Sequence, residues 1–427
     1  MTAFEEALAD LEGREPTRMI PDLDRIRAVT DLLDHPERTY PSINVTGTNG
    51  KTTTARLIGR ILCAHGLATG VYTSPHLESV TERLALCDHD ITKEELAETY
   101  AHLLPYLQEV DARTSDTVTY FETLTALAFL WFADKPVDAG VFEVGMGGAW
   151  DATSLVDARV AVFCSIDVDH PELGSTPEEV ASEKAGIIDP GSRVVLQDVD
   201  APASAVIRTR ATEMGADVVS APPGGLLTAR SPAVGGQQLS VAGVHAAYED
   251  LFLPLHGAHQ AENAATAVVA AEALLDQRLD DASLREALTG TTSPGRLEVV
   301  ARRPLVVLDG AHNPDAALRL AEALPEAFVW RRLHLVVGVL ETKDVAGIVA
   351  PLASRTTLSY ACASSNPKAL DAERMAAACE AAGMTVAAFP TVAHALDAAT
   401  EQAEDEDLIL VTGSLYTVAD ARPRFVS

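Results

Sequence analysis

The segment Val45-Thr46-Gly47-Thr48-Asn49-Gly50-Lys51-Thr52-Thr53 constrains this chain more than any other. A glycine-punctuated loop ending in Gly-Lys-Thr joins a short apolar run, Ile43 to Val45, to a stretch with helical spacing. Strand, glycine loop, helix is the order that a phosphate-binding P-loop requires. Glycines let backbone N–H groups turn inward on phosphates, and the helix N-terminus adds partial positive charge. Lys51 can reach the β- and γ-phosphates, and a hydroxyl of Thr52 or Thr53 can serve a metal or its water shell. A plain Gly-rich turn reads similarly, so the rest of the chain has to decide.

Short Val/Ile-rich runs alternate with helical patterns along most of the length, which predicts an α/β protein with a mainly parallel sheet. Ile58, Ile61, Leu62 and His65 keep helical spacing after the loop, and Gly66 is placed to end that helix. Strands are expected at 71–73, 139–143, 159–165 and 193–196, with helices at about 93–107 and 121–132. From about Pro222 to Pro254 the chain is rich in Gly, Pro, Ser and Val, predicting small β-hairpins or a loop-rich edge. An alanine-rich helix follows from about His259 to Leu275. Past Ser293-Pro294-Gly295-Arg296 the pattern restarts, with four buried strands (305–309, 333–337, 358–361, 408–412) interleaved with helices. At 427 residues two domains are expected: 1–294 as a P-loop ATPase-type domain and 295–427 as a smaller Rossmann-like α/β domain.

A net charge of −30 leaves no basic surface for nucleic acid or an anionic membrane. The chain carries six lysines, so their placement carries information, and Lys51, Lys184 and Lys343 fall beside glycine or acidic motif residues. No apolar stretch reaches transmembrane length, and the acidic, amphipathic N-terminus does not read as a secretory signal. Five cysteines without a CxxC pair are expected to be reduced structural thiols in a cytoplasm.

Several residues stand out for their chemistry. Glu143 closes an apolar strand and precedes Val144-Gly145-Met146-Gly147-Gly148, a placement that suits Mg²⁺ or simply a water-facing acid. Asp167, Asp169 and His170 follow the next strand, where they suit a metal, a polarised substrate or an ordinary turn. Lys184 taken alone reads as a surface lysine or a C-terminal helix charge. Asn263 is a polar amide among small residues, and Arg296 lies at the boundary between the two domains. Asp309-Gly310-Ala311-His312-Asn313-Pro314 ends a buried strand and opens a helix, a ligand-facing position, although Asn313 also fits a plain N-cap.

Taken in order, Gly47 to Thr52, Thr73-Ser74-Pro75-His76-Leu77, Thr119-Tyr120-Phe121-Glu122, Glu143 to Gly148, Asp151-Ala152-Thr153, Glu183-Lys184-Ala185-Gly186-Ile187, Asp309 to Pro314 and Gly413-Ser414 resemble one family. It is the folylpolyglutamate synthase/dihydrofolate synthase family, a branch of the Mur-type ATP-dependent amide ligases. The likeness runs from Met19-Ile20-Pro21-Asp22-Leu23 to the C-terminal strand.

The resemblance implies ATP-driven joining of L-glutamate to dihydropteroate or a reduced folate, through an acyl phosphate. It implies ATP binding by Thr48, Asn49, Gly50, Lys51, Thr52, Thr53, Asn263, Arg296 and Asp309. Ser74, Glu143, His170 and Lys184 match metal ligands, with Lys184 carbamylated, two Mg²⁺ sites, and room for K⁺. Lys51, Lys184 and His170 match the catalytic set. Thr119, Tyr120, Phe121, Glu122, Trp150, Asp151 and Ala152 match the pterin-side pocket. The partners implied are small molecules, and the expected state is a cytoplasmic monomer. Two departures touch that pocket. Ala149-Trp150 replaces the family's usual Arg-Leu, and the stretch after His170 is one residue short. A cell-wall Mur ligase, or a nucleotide switch without ligase chemistry, remain the rival readings.

Overall fold

The computed structural model describes residues 2–14, 21–197, 199–219 and 225–426. Met19, Ile20 and Pro222 of the sequence reading lie outside them. The chain divides into two compact units. One comprises Met1–Arg230, Gln238–Leu253 and Glu262–Thr291; the other comprises Ser231–Gln237, Pro254–Ala261 and Thr292–Ser427.

The first unit is built on eight strands: β1 (Ser42–Thr46), β2 (Thr69–Tyr72), β3 (Leu84–Leu86), β4 (His89–Asp90), β5 (Ala139–Glu143), β6 (Ala158–Phe163), β7 (Arg193–Leu196) and β8 (Asp217–Val218). They lie in the order β4-β3-β2-β5-β1-β6-β7-β8. Every pairing is parallel except β2 with β3 and β3 with β4. The central strand β1 is buried throughout, as a parallel strand covered on both faces must be. Two of its polar side chains find backbone acceptors inside the protein: Asn44 Nδ2 donates to Thr153 O at 3.2 Å, and Thr46 Oγ1 to Gly147 O at 2.8 Å.

The helix Lys51–Ala64 buries Leu57, Ile58, Ile61 and Leu62, each contributing about 1.5–3 kcal/mol by burial. It lies so close to the sheet that a Cβ on Gly59 would be 2.3 Å from Val71 Cγ2. The helix Tyr120–Asp134 is buried almost all round, joining an aromatic core of Tyr40, Tyr72, Phe129, Phe132 and Phe142. A separate cluster of Val144, Ala161, Phe163, Val180, Ile187 and Val194 fills the other flank of the sheet. The stretch from Leu227 forms strands β9 (Leu227–Ala233), β10 (Gly236–Ala242) and β11 (Ala247–Leu253), in a small sheet ordered β11-β10-β9.

The second unit holds β12 (Glu298–Arg302), β13 (Leu305–Leu308), β14 (Leu333–Val337), β15 (Leu358–Cys362), β16 (Val386–Phe389) and β17 (Leu408–Thr412), ordered β12-β13-β17-β14-β15-β16. The four strands legible in the sequence are the contiguous parallel centre. The two that were not, β12 and β16, are the edges, and their residues are mostly half-buried or exposed. Edge strands lack the continuous apolar run that marks a strand buried on both faces.

One sequence expectation is overturned. Cys63 and Cys87 form a disulfide, with Cα atoms 5.8 Å apart, while Cys164, Cys362 and Cys379 are buried free thiols. Cys63 lies in the last turn of the P-loop helix, and Cys87 N donates to Thr69 O at 2.9 Å. Pairing of β2 with β3 thus brings together two cysteines 24 residues apart, which spacing alone does not reveal. Among the described residues, no helix is long and apolar enough to cross a membrane.

Candidate active site

The P-loop leaves the C-terminal end of β1 and is tied to the chain that follows β6. Thr48 N donates to Ser165 O at 2.6 Å, Thr48 Oγ1 to Asp167 O at 2.8 Å, and Asn49 N to Ser165 Oγ at 3.1 Å. Two glycines are required by geometry. A Cβ on Gly47 would sit 2.7 Å from Cys164 Cβ; Gly50, at φ +90°, would place one 2.4 Å from Asn263 Oδ1. The loop can therefore pack against its neighbours only as bare backbone.

Lys51 folds back over its own loop, donating to Gly47 O at 2.9 Å and Thr48 O at 3.2 Å. Lys184, 3% exposed, reaches the same carbonyl: its Nζ donates to Gly47 O at 2.9 Å. Burial, with the neighbouring Lys51 charge, pulls the Lys184 amine down to a pKa of about 7. An ordinary-looking helix-end lysine is thereby partly neutral near neutral pH.

Glu143, 1% exposed, terminates β5 beside these lysines. Its Oε1 accepts from Thr52 Oγ1 at 2.8 Å and its Oε2 from Ser74 N at 2.9 Å. Burial raises its pKa, against the opposing pull of Lys51 and these hydrogen bonds. His170 is more open: its side chain is 43% exposed and Nε2 lies 3.5 Å from Asp169 Oδ2. Glu143, Thr52, Ser74, Lys51 and Lys184 are thus gathered at the strand ends, while His170 stands on the neighbouring turn.

The Thr119–Ala152 set behaves less uniformly. Thr119 and Glu122 form a capping box at the start of the helix Tyr120–Asp134, a signature legible in the sequence. Glu122 also takes both Arg25 Nε and Nη2 at 3.0 Å, so its carboxylate is committed inside the protein. Tyr120 carries the Arg83 guanidinium over its ring at 5.3 Å. Phe121 lies against Gly145, where a Cβ would be 2.6 Å from its ring. Asp151 is buried and closes its own turn, accepting from Met146 N and from Thr153 N and Oγ1 at 2.7–3.0 Å. Ala152 is buried in the aromatic core with Tyr120 and Phe121 at its margin, whereas Trp150 packs with Met146 against the other cluster. Arg25 and Arg83, which orient Glu122 and Tyr120, carry no motif that singles them out in the sequence.

Asn263 is buried on the helix Ala258–Leu275, against Gly50. In the second unit, Asp309 follows β13; its Oδ2 accepts from Leu297 N and its Oδ1 from Ala311 N, both at 2.9 Å. Burial raises the Asp309 pKa against the opposing charge of Arg296. Asn313 is an N-cap, its Oδ1 accepting from Ala316 N at 2.8 Å.

The Mur ligase middle domain matches residues 45–271, and the Mur ligase glutamate ligase domain matches residues 295–415. A Mycobacterium tuberculosis protein named dihydrofolate synthase/folylpolyglutamate synthase is 38% identical across 97% of this chain and 92% of its own length. A Bacillus subtilis protein of the same name is 32% identical across 99% of both. Among solved structures, Mycobacterium tuberculosis folylpolyglutamate synthase complexed with ADP superimposes with a TM-score of 0.95 at 37% identity, covering 100% of this chain and 98% of that one. Escherichia coli FolC in complex with DHPP and ADP gives 0.88 at 32% identity, covering 99% and 97%.

Proposed function

Because the chain belongs to the dihydrofolate synthase/folylpolyglutamate synthase family of Mur-type, ATP-dependent amide ligases, we propose that it joins L-glutamate to dihydropteroate, to a glutamylated reduced folate, or to both. The observation that carries the reading is the convergence of Lys51, Lys184 and the buried Glu143 on one P-loop. A carboxylate does not condense with an amine in water unaided. Its oxygen attacks the γ-phosphorus of ATP, ADP leaves, and an acyl phosphate forms. The glutamate amine then attacks the acyl carbon, loses a proton and expels phosphate.

In this reading Thr48 to Thr53 cradle the phosphates, and Lys51 turns from its loop carbonyls to the charge that develops on the transferring phosphoryl group. Asn263, Arg296 and Asp309 are the remaining nucleotide-binding residues. A buried carboxylate bonded to a threonine hydroxyl suits an oxygen-seeking divalent cation, which binds through few carboxylates plus phosphate oxygens. Glu143, Ser74 and His170 would hold Mg²⁺, which would neutralise phosphate charge. Lys184 suits carbamylation because only a neutral amine adds CO₂, and its carbamate would serve a second Mg²⁺; K⁺ is a further candidate cation. Tyr120 and Phe121 are the proposed pterin-side surface, with Thr119, Glu122, Asp151 and Ala152 shaping it from behind and Trp150 supporting the turn. We assign residues 1–294 to the ATP- and substrate-binding domain and 295–427 to the glutamate ligase domain, in a cytoplasmic monomer.

The deciding experiment measures ATP turnover with dihydropteroate, and separately with reduced folates, each with and without L-glutamate. Glutamate-dependent ADP release with either acceptor is the expected result; its absence with both would remove the reading.

A further inference from the structure

Arg83 belongs to no motif, yet it stands between two of them. It ends the short helical turn Val80–Arg83, and its carbonyl accepts from Thr73 N at 2.8 Å, which pins it beside the Ser74-Pro75-His76 segment. Its Nε donates to His76 Nδ1 at 2.9 Å, and its guanidinium covers the Tyr120 ring at 5.3 Å. The adjacent carboxylate, Glu82, is engaged elsewhere: it accepts from the N–H groups of Leu77, Glu78 and Ser79 at 2.7–2.8 Å.

An arginine only 8% exposed ordinarily meets a carboxylate, and this chain offers 62 acidic residues against 32 lysines and arginines. Arg83 nevertheless forms no ion pair among the described residues. Its Nη1 and Nη2 find no acceptor there, yet neither is sealed from solvent. The contact with Tyr120 leaves the positive charge uncompensated. His76 adds a second donor. A guanidinium Nε always carries its hydrogen, so His76 Nδ1 is the unprotonated nitrogen and the ring's proton sits on Nε2. That Nε2 also has no acceptor among the described residues and is open to solvent. Adjacent, reachable donors without acceptors are a seat for an anion.

The neighbours indicate which anion. Ser74, on the same segment as His76, donates its N–H to Glu143 at 2.9 Å. Phe121, next to Tyr120, stands 6.1 Å from Tyr72 at the end of β2. A folate acceptor running from Tyr120 and Phe121 toward Glu143 brings the carboxylate to be activated to the Ser74 end and passes the guanidinium on the way. Dihydropteroate has no other carboxylate. A glutamylated folate has an α-carboxylate as well, a short carbon chain from the reacting γ-carboxylate.

We propose that Arg83, oriented by His76, binds the α-carboxylate of the terminal glutamate of a glutamylated folate and so sets the preference between the two acceptors. This rests on the substrate reading given above and adds a specificity-determining residue to it. Each γ-linked extension presents a new terminal glutamate with the same α-carboxylate, so one guanidinium serves every round.

The test titrates the full-length protein with dihydropteroate, dihydrofolate and dihydropteroyl-γ-aminobutyrate, which keeps the chain-end carboxylate and lacks the α-carboxylate. Wild type is expected to bind dihydrofolate about tenfold more tightly than the aminobutyrate analogue. Arg83→Gln should abolish that difference, weakening dihydrofolate about tenfold and dihydropteroate less than about twofold. Arg83→Lys, which keeps the charge, should retain part of the preference. Equal binding of dihydrofolate and its analogue by wild type overturns the inference without any variant. So does a wild type that binds dihydropteroate alone, and in both cases the substrate reading survives. An Arg83→Gln protein that weakens dihydropteroate and dihydrofolate equally, or neither, also overturns it. A wild type that binds none of the three removes the substrate reading, and this inference with it.

Discussion

Two aspartates in the second unit, at opposite ends of adjacent strands, show how one sheet uses its two edges. Asp407 immediately precedes β17, and Asp309 immediately follows the parallel neighbour β13. Both are buried. Burial pushes the Asp407 pKa up, but Arg332, backbone hydrogen bonding and Arg331 outweigh it and hold the carboxyl well below its usual range. Arg332 donates to its Oδ2 from Nε at 3.0 Å and from Nη2 at 2.6 Å. At Asp309 burial wins instead: the carboxyl is held by two backbone N–H groups and its pKa is raised. Glu143, at the end of β5 in the first unit, follows the same rule as Asp309. Asp407, at a strand start, has its charge matched within the protein. Asp309 and Glu143, at strand ends, are kept costly to ionise, which leaves them responsive to a cationic ligand.

The strongest way to break this contrast is at the P-loop. Lys51→Ala is expected to lower ATP-dependent ligation by about 10³-fold or more while its melting temperature stays that of wild type. Steady-state turnover close to wild type would remove the phosphate assignment. Lys184→Ala should lose about 10²-fold, with part of the rate restored by added formate or acetate standing in for a carbamate. Full activity without any addition would leave Lys184 a buried structural lysine.

Asp309→Ala and Asp407→Asn sharpen the comparison directly. Asp309→Ala should weaken ATP about tenfold in a binding titration and also lower the melting temperature, because Leu297 N and Ala311 N lose their acceptor. Asp407→Asn should leave kcat and KM unchanged and destabilise the fold. Its pH dependence has a definite sign. A depressed folded-state pKa contributes stability above the unfolded value of about 3.8, and that stability is lost as pH falls toward the folded value. Asp407→Asn should therefore flatten the acid limb of the stability curve below about pH 4, as read by denaturant unfolding across pH. An unchanged acid limb would show that Asp407 carries none of it.

Trp150→Ala has the smallest expected effect. The indole packs with Met146 against the cluster beside β6 and β7, so the substitution should cost roughly 2 kcal/mol of stability and move the KM for pteroate by less than about twofold. A several-fold rise in that KM with an unchanged melt would return Trp150 to the pterin-side pocket where the resemblance places it.

Local patterns in the chain carried much of the architecture. Apolar runs placed the central strands of both large sheets, and Gly-Lys-Thr placed the P-loop at the end of β1, because strand period and turn chemistry act over a few residues. The T-Y-F-E stretch shows the limit. The resemblance reads it as pocket, whereas the structure spends Thr119 and Glu122 on a helix cap and on Arg25, a residue 97 positions away from Glu122. Edge strands β12 and β16, half-buried and short, lack the pattern that reveals a central strand.

Other properties came only from the assembled fold. The amine of Lys184 falls to about pKa 7 because it is buried beside Lys51 on one carbonyl, an environment made by segments 137 residues apart. The Cys63–Cys87 bond needs the β2–β3 pairing. Period, glycine and proline are properties of neighbouring residues and can be read along the chain. Desolvation and the pairing of distant charges depend on what the fold brings close, and they exist only once it has formed.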